Sequence, residues 1–365
     1  MKLEKGEISS SELTFLIGGF IQGSLLTIAF ANEITKHDTW LAILAGLVTA
    51  MLFALVYIAL AQKFPGKNLV QINDIIYGPY LGKLISAPYI FLFLSIVAAN
   101  LRFIADFFLT FLMPETPMIV IIVMFALICA WAVRGGIEVI ARTSFVFVVI
   151  TVFIISLVSL LLLKEMDFTN FLPIFEVSLR DFIQSTHVIA SIPFCEVLVF
   201  LMVIPSMNKL KQAKSSVLQG LMIGGATILI IVVRNIAVLG SLYPVVESPS
   251  VEAVRLIDIA KIITRLEVLV AIVLLVTLFL KVSVFYYSSV LGLAQLLNMR
   301  SYVPLVLPLG IISIVLALTT WESKMEFEYI ASNIWPIYVT PFYLMIPLMS
   351  LVIAKLRKLP KKQGG

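Results

Sequence analysis

Ten long apolar segments constrain the fold of this sequence more than any other feature. Each has roughly the ~20 mostly apolar residues that an α-helix needs to cross the ~30 Å hydrocarbon core of a membrane. Called spans 1 to 10 below, they cover residues 12–34, 39–62, 82–112, 117–133, 139–163, 183–205, 216–240, 267–297, 303–320 and 335–356. We therefore predict an all-α integral membrane protein with ten transmembrane helices.

The composition excludes several other classes of protein. The chain is 61% hydrophobic and 13% charged, whereas soluble domains are ~45–50% apolar and ~25% charged. Its net charge is +5, but the basic residues lie mostly in short loops and the C-terminal tail, so no nucleic-acid partner is expected. The chain has only two histidines, and its two cysteines lie in apolar runs, so no metal or cofactor is expected. It also has no phosphate-binding loop and no nucleophile motif, so we expect no enzyme activity.

The positive charges predict the orientation in the membrane. Of the 26 Lys and Arg residues, 16 lie on the side of the N-terminus and seven on the opposite side, which predicts that both termini are cytoplasmic. The Lys-rich tail, residues 357–365, is expected to contact anionic membrane lipid. Two connections, residues 68–76 and 250–260, space their apolar residues as an interfacial helix does.

Spans 1 and 6 both carry helix breakers near the middle of the membrane. Span 1 contains Gly18-Gly19-Phe20-Ile21-Gln22-Gly23-Ser24, and span 6 contains Ser191-Ile192-Pro193-Phe194. If the chain consists of two five-span repeats, about 12–163 and 183–356, these interruptions occupy equivalent positions and point to a binding site at the membrane midplane. The alternative is that Gly19 and Gly23 form a helix-packing notch and that Pro193 makes a simple kink.

A broken helix has free N–H groups at one new end and free carbonyls at the other, which suit the two charges of a zwitterion such as an amino acid. Ser24 is a candidate N-cap for the second half of span 1. Apolar pocket residues are expected from spans 3 and 8, although ordinary packing is the alternative for Leu92, Ile96 and Phe285. The predicted ligand contacts are Gln22, Gly23, Ser24, Leu25, Leu92, Ile96, Ser191, Ile192, Pro193, Phe194, Lys281 and Phe285.

Charged residues within the spans are functional candidates. Arg102 and Asp106, four residues apart, are expected to pair along span 3 as a structural latch. Glu196, one turn after Pro193, can bind an ammonium group, pair with a cation or carry a coupling proton. Lys281 can replace a bound sodium ion or pair with Glu196. For Arg234, near the end of span 7, snorkelling to the membrane surface is the alternative to a function.

The order of several short motifs resembles one known family. They are Gly23-Ser24-Leu25-Leu26-Thr27, Phe64-Pro65-Gly66-Lys67-Asn68-Leu69 followed by Gly78 and Gly82, Arg102-x-x-x-Asp106, Glu115-Thr116-Pro117, Asn170-Phe171-Leu172-Pro173, Pro193-Phe194-Cys195-Glu196 and Arg265-Leu266-Glu267. Together they resemble the membrane B subunit of the germinant receptors of endospore-forming bacteria, a branch of the amino acid–polyamine–organocation transporter superfamily.

This resemblance implies a LeuT-like fold of two inverted five-helix repeats with helices 1 and 6 broken. It further implies a subunit of the inner spore membrane that binds a small nutrient, such as an amino acid, and signals germination beside an A subunit and a lipoprotein C subunit. Two other hypotheses remain: a proton-coupled amino-acid permease that titrates Glu196 or Lys281, and a structural scaffold for a partner channel.

Overall fold

Helices make up almost all of the protein. The computed structural model describes residues 6–257 and 266–360, where one isolated β-bridge joins Ile8 to Met207. Eight helical stretches in these ranges, counted through their short 3-10 and π-helical turns, are long and apolar enough to cross a membrane: Ala29–Lys63 (the second half of span 1 together with span 2), Pro79–Phe111, Met118–Gly135, Ile137–Leu161, Leu179–Met202, Leu210–Leu242, Glu267–Leu296 and Lys324–Leu356. Shorter apolar helices, Ser10–Gln22 and Val303–Thr319, complete spans 1 and 9. The predicted all-α membrane fold is confirmed.

Span 1 consists of two helices, Ser10–Gln22 and Ala29–Thr35, joined by turns at residues 23–28. The first begins at a capping box in which the Ser9 side chain and Glu12 satisfy each other's backbone amides, an arrangement that stabilises a helix start. After Thr35 a short 3-10 turn, Lys36–Asp38, leads into span 2, Thr39–Lys63. The predicted interruption of span 1 is therefore present, a few residues after the glycine pair.

Span 6 changes helix type where the sequence places Pro193. The α-helix Leu179–Ile189 is followed by a π-helical turn, Ala190–Phe194, and then by a 3-10 helix, Cys195–Met202. Proline has no N–H for the ordinary helical hydrogen bond, and the amide of Cys195 donates to Ala190, five residues earlier. The interruption is at the predicted place, but the chain stays helical through it.

The starts of spans 6 and 10 differ most from the sequence prediction. Span 10 begins at Lys324 rather than residue 335, and it contains two π-helical turns, Ile330–Ile334 and Pro341–Met345. Span 6 begins at Leu179 rather than residue 183. The added segments include the charged residues Arg180, Asp181, Lys324, Glu326 and Glu328, so hydropathy alone assigned them to loops.

Both amphipathic connections contain a helix, Leu69–Tyr77 and Pro249–Arg255. The first packs on span 3 where Gly82 lies against the backbone of Asp74. Residues 258–260 of the second prediction, Arg265 and the tail residues 361–365 lie outside the described residues.

The first half of span 1 is central to the bundle. It packs against span 7, where Gly220 and Gly224 leave room for Ile17 and Ile21, and it also contacts spans 5 and 8. Small residues permit this close approach of two helices. The break in span 1 is thereby surrounded by protein, which is the condition for irregular backbone at membrane depth.

Candidate functional site

A buried ion pair lies beside the break in span 1. Lys281 of span 8 places its Nζ 2.7 Å from Oε2 of Glu196 in span 6, with side-chain exposures of 1% and 3%. Nζ also donates a hydrogen bond to Oγ of Ser24, and it lies 5.8 Å from the centre of the Phe20 ring. Spans 1, 6 and 8 are thus joined at one ammonium group.

Gly23 is required by this ion pair rather than by an unusual backbone conformation. Its φ and ψ are −58° and −10°, ordinary helical values. A Cβ at this position would lie 2.8 Å from Cβ of Lys281 and 3.0 Å from the carbonyl oxygen of Thr277. Span 1 can therefore approach Lys281 only with glycine at position 23.

The ion pair borders a cavity of about 70 Å³ between spans 1, 3, 6, 8 and 10. Both Glu196 and Lys281 are in its wall, so the cavity presents one carboxylate and one ammonium group together. Most of the remaining wall is apolar and aromatic. The lining residues are Thr27, Phe30, Ile96, Ala99, Asn100, Phe103, Ile192, Glu196, Lys281, Trp321, Phe327, Ile330, Ala331 and Trp335.

Three phenylalanines lie between this cavity and a cluster of charged residues near the helix ends. The rings of Phe30, Phe103 and Phe327 lie 6.2 to 6.5 Å apart, centre to centre. Beyond them is a smaller cavity whose wall includes Asp106, Glu247, Lys324 and Glu328. The three rings of this aromatic cluster line both cavities and form the wall between them.

Ion pairs hold the segments around the aromatic cluster. Arg102 donates from Nε to Asp106 at 3.0 Å, one turn further along span 3. Its Nη1 donates to the carbonyl of Trp321, just before span 10, at 3.1 Å. Lys324 pairs with Glu247. These contacts join span 3, the start of span 10 and the connection after span 7.

The structure brings together only some of the residues predicted to contact a ligand. Ile96, Ile192, Glu196 and Lys281 line the larger cavity, and Ser24 reaches it through its contact with Lys281. The other predicted residues do not line this cavity. Gln22 donates a hydrogen bond to Thr227, Leu25 lines a different cavity, and Gly23 packs against Lys281. Buried within the protein are Leu92 and Phe285 in the core and Ser191, Pro193 and Phe194 in the π-helical turn.

Sequence reasoning did not identify several lining residues. Asn100 lies four residues after Ile96, on the same face of span 3, and Thr27 follows Ser24 by three residues in the break. Their spacing was a usable signal. Phe327 had none, because the segment before residue 335 was assigned to a loop.

The backbone at the break is more tightly bonded than predicted. The amides of Gly23, Ser24, Leu25, Thr27 and Ala29 each donate to the carbonyl three residues earlier. Ser24 is not the N-cap of the second helix, because that position is Ile28, which makes no side-chain cap. Since these N–H groups are already used, the charges available to a ligand come from side chains.

Solved structures define the class of fold. Mhp1, a nucleobase-cation-symport-1 family transporter in a closed conformation with bromovinylhydantoin bound, superposes with a TM-score of 0.69 at 15% identity, over 97% of this chain and 80% of that one. A Na⁺-coupled sialic acid symporter superposes with a TM-score of 0.66 at 13% identity, over 95% and 89%. This chain is a membrane protein of the LeuT-like transporter fold.

Sequence relatives define the family within that class. The family model for spore germination proteins of the spore permease type matches residues 7–325. Spore germination protein KB of Bacillus subtilis (strain 168) is 28% identical over 98% of this chain and 96% of that protein, and spore germination protein YndE of the same organism is 23% identical over 98% of each. The chain belongs to the spore germination permease family, the B subunits of germinant receptors.

Proposed function

We propose that this chain binds a small zwitterionic nutrient, an amino acid, in the cavity beside Glu196 and Lys281 and signals its presence to partner subunits. The observation that carries the proposal is the pair of buried opposite charges in the wall of one cavity. Family membership supports the context of an inner spore membrane receptor with an A subunit and a lipoprotein C subunit, and the distribution of Lys and Arg supports cytoplasmic termini.

The charge arrangement suits a molecule that carries both an ammonium and a carboxylate group. Glu196 offers a counter-charge to the ligand's ammonium, and Lys281 offers one to its carboxylate. Taking two charges out of water is costly unless each remains paired, and a zwitterion placed between the two residues keeps both of them paired. A simple amine or a simple acid would leave one buried charge without its partner.

The size of the cavity favours a small ligand. A volume of about 70 Å³ accommodates roughly five water molecules, which is close to the bulk of the smallest amino acids. The aromatic and aliphatic wall offers no further charge to a long polar side chain. We therefore expect amino acids with small apolar side chains to bind best.

The break in span 1 connects binding to a change of shape. Ser24 contacts Lys281 and Thr27 lines the cavity, so a ligand that engages Lys281 acts directly on the turn between the two half-helices. Phe30, at the start of the second half-helix, belongs to the aromatic cluster that lines the cavity. A ligand can shift the equilibrium between two conformations of the helix bundle only by its difference in affinity for them.

A thermal-shift screen of the twenty amino acids with the purified protein tests the proposal. A ligand that binds the folded state raises the apparent melting temperature by mass action. We expect one or more small amino acids to do so for the natural protein and none for the double variant Glu196→Met with Lys281→Met. The matched control is Glu138→Met with Arg142→Met, which removes an exposed ion pair and should retain the shift.

Spore germination then separates sensing from a structural role. In a host whose redundant receptors are deleted, the cavity variant should lose the response to the amino acid found in the screen, while the control variant keeps it. A scaffold function predicts that both variants respond equally. No shift with any amino acid, or an equal shift in the cavity variant, contradicts the binding site.

A second function, proton-coupled amino-acid transport, is favoured by one observation. Glu196 is a buried titratable carboxyl group in the wall of the cavity, and the fold is shared with symporters. Purified protein in liposomes should then accumulate a labelled amino acid on a pH gradient. Binding without accumulation favours the receptor over the permease.

A further inference from the structure

A second cavity lies against the break in span 1. Its volume is about 30 Å³, and its wall comes from spans 1, 5, 7 and 8 and the loop helix Pro249–Arg255. Leu25 and Leu26 of the break are part of that wall. Its other side chains are aliphatic except for two, Arg234 of span 7 and Ser250 of the loop helix.

Arg234 is buried inside the protein and does not snorkel. Only 5% of the residue is exposed, whereas a snorkelling arginine keeps its guanidinium in water. The ion pairs of residues 6–257 and 266–360 are all made by other cations. Within those ranges Arg234 therefore has no carboxylate to balance its charge.

The neighbours of Arg234 accept hydrogen bonds but supply no negative charge. Its Nε and Nη2 both donate to Oδ1 of Asn235, at 3.2 and 2.8 Å, and Nδ2 of Asn235 donates to Oγ of Ser250 at 3.1 Å. A guanidinium has five N–H donors and a hydroxyl has one. The remaining N–H groups of Arg234 and the hydroxyl hydrogen of Ser250 have no acceptor among the described residues.

The cavity is thus an apolar space with a cation and a hydroxyl donor in its wall. A buried charge without a counter-charge is strongly destabilising, and intramembrane arginines in proteins are normally paired. An anion in the cavity supplies the missing charge and the missing acceptor together. A space of about 30 Å³ holds roughly two water molecules, which admits a halide and excludes a nucleotide or a sugar acid.

We propose that Arg234 and Ser250 bind a small monovalent anion of the chloride class in this cavity. The anion would lie on one side of the span 1 break while Lys281 and Glu196 lie on another. It would join span 7 and the loop helix Pro249–Arg255 to the turn at Leu25 and Leu26. This site is independent of what the larger cavity binds.

The test is the thermal stability of the purified protein in sodium chloride or bromide, compared with sodium gluconate at equal ionic strength. Gluconate provides the same ionic strength but is too large for the cavity. We expect the apparent melting temperature to rise with chloride or bromide and not with gluconate. The chloride-dependent rise should be absent in Arg234→Gln.

Two further variants keep the test decisive if Arg234→Gln does not fold. Ser250→Ala removes one neutral hydrogen bond and should raise the chloride concentration needed for half of the effect by about fivefold. Arg102→Gln removes a buried arginine that has its own carboxylate partner, so its chloride response should equal that of the natural protein. An equal effect of gluconate and chloride, or an unchanged response in both Arg234→Gln and Ser250→Ala, overturns the proposal.

Discussion

Replacing Lys281 by methionine should destabilise the protein far more than replacing Lys281 and Glu196 together. The two side chains are 1% and 3% exposed and 2.7 Å apart, so removing the ammonium leaves a carboxylate in a nearly dry environment. Breaking a buried pair in this way costs about 3–5 kcal/mol. The single variant Glu196→Met should cost a similar amount, because it leaves the ammonium unpaired.

The double variant Glu196→Met with Lys281→Met should regain this loss. Substituting both partners of a buried pair by apolar side chains of similar volume is often neutral, or stabilising by about 1–4 kcal/mol. Equilibrium unfolding in mixed detergent micelles measures all four proteins of the double-mutant cycle. The magnitude of the interaction free energy should approach the sum of the losses seen in the two single variants, because the double variant loses little or nothing.

An exposed ion pair provides the control for this cycle. Glu138 and Arg142 are four residues apart in span 5, with side-chain exposures of 35% and 68%, and such pairs contribute about 1 kcal/mol or less. If the losses of Glu196→Met and Lys281→Met simply add in the double variant, the two residues do not compensate each other. That result would refute the reasoning about the cavity.

Three glycine substitutions test the close packing of the helices. Gly23→Ala should lower the melting temperature and displace Lys281, because the new Cβ would lie 2.8 Å from the Lys281 side chain. Gly18→Ala should lower the melting temperature less, because the nearest atom is 3.1 Å away on a movable isoleucine side chain. Equal effects of the two substitutions would contradict the close-approach argument. Gly82→Ala should detach the loop helix Leu69–Tyr77 from span 3, because the new Cβ would lie 2.6 Å from the Cα of Asp74. Protease should then cleave this loop faster than in the natural protein, and an unchanged rate of cleavage would show the prediction to be wrong.

Hydropathy and helix breakers predicted the architecture well because both act locally. The length of an apolar run sets a membrane span, and Pro193 removes a backbone donor wherever it stands in a helix. The start of span 10 was missed for the same reason. Lys324, Glu326 and Glu328 make the segment too polar for a span, although Phe327 between them is buried at the wall of the cavity.

The candidate site depends on contacts that spacing within one helix does not determine. Glu196 and Lys281 are 85 positions apart in the sequence, and their pairing follows from how spans 6 and 8 pack around span 1. Gly23 was read either as a helix breaker or as part of a helix-packing notch; its backbone is ordinary and it lies against Lys281, which fits the notch. Which side chain packs against Gly23 depends on the position of span 8, and the sequence around Gly23 does not determine that position.

Binding of matched analogues tests the central claim most directly. The amino acid that gives the largest thermal shift is compared, by equilibrium binding to the purified protein, with the amine that lacks its carboxylate and the acid that lacks its ammonium group. If Glu196 and Lys281 each pair with one charge of the ligand, both analogues should bind at least about tenfold more weakly, because a hydrogen bond to a charged group contributes about 1.5–3 kcal/mol. An amine that binds as tightly as the amino acid would contradict the account.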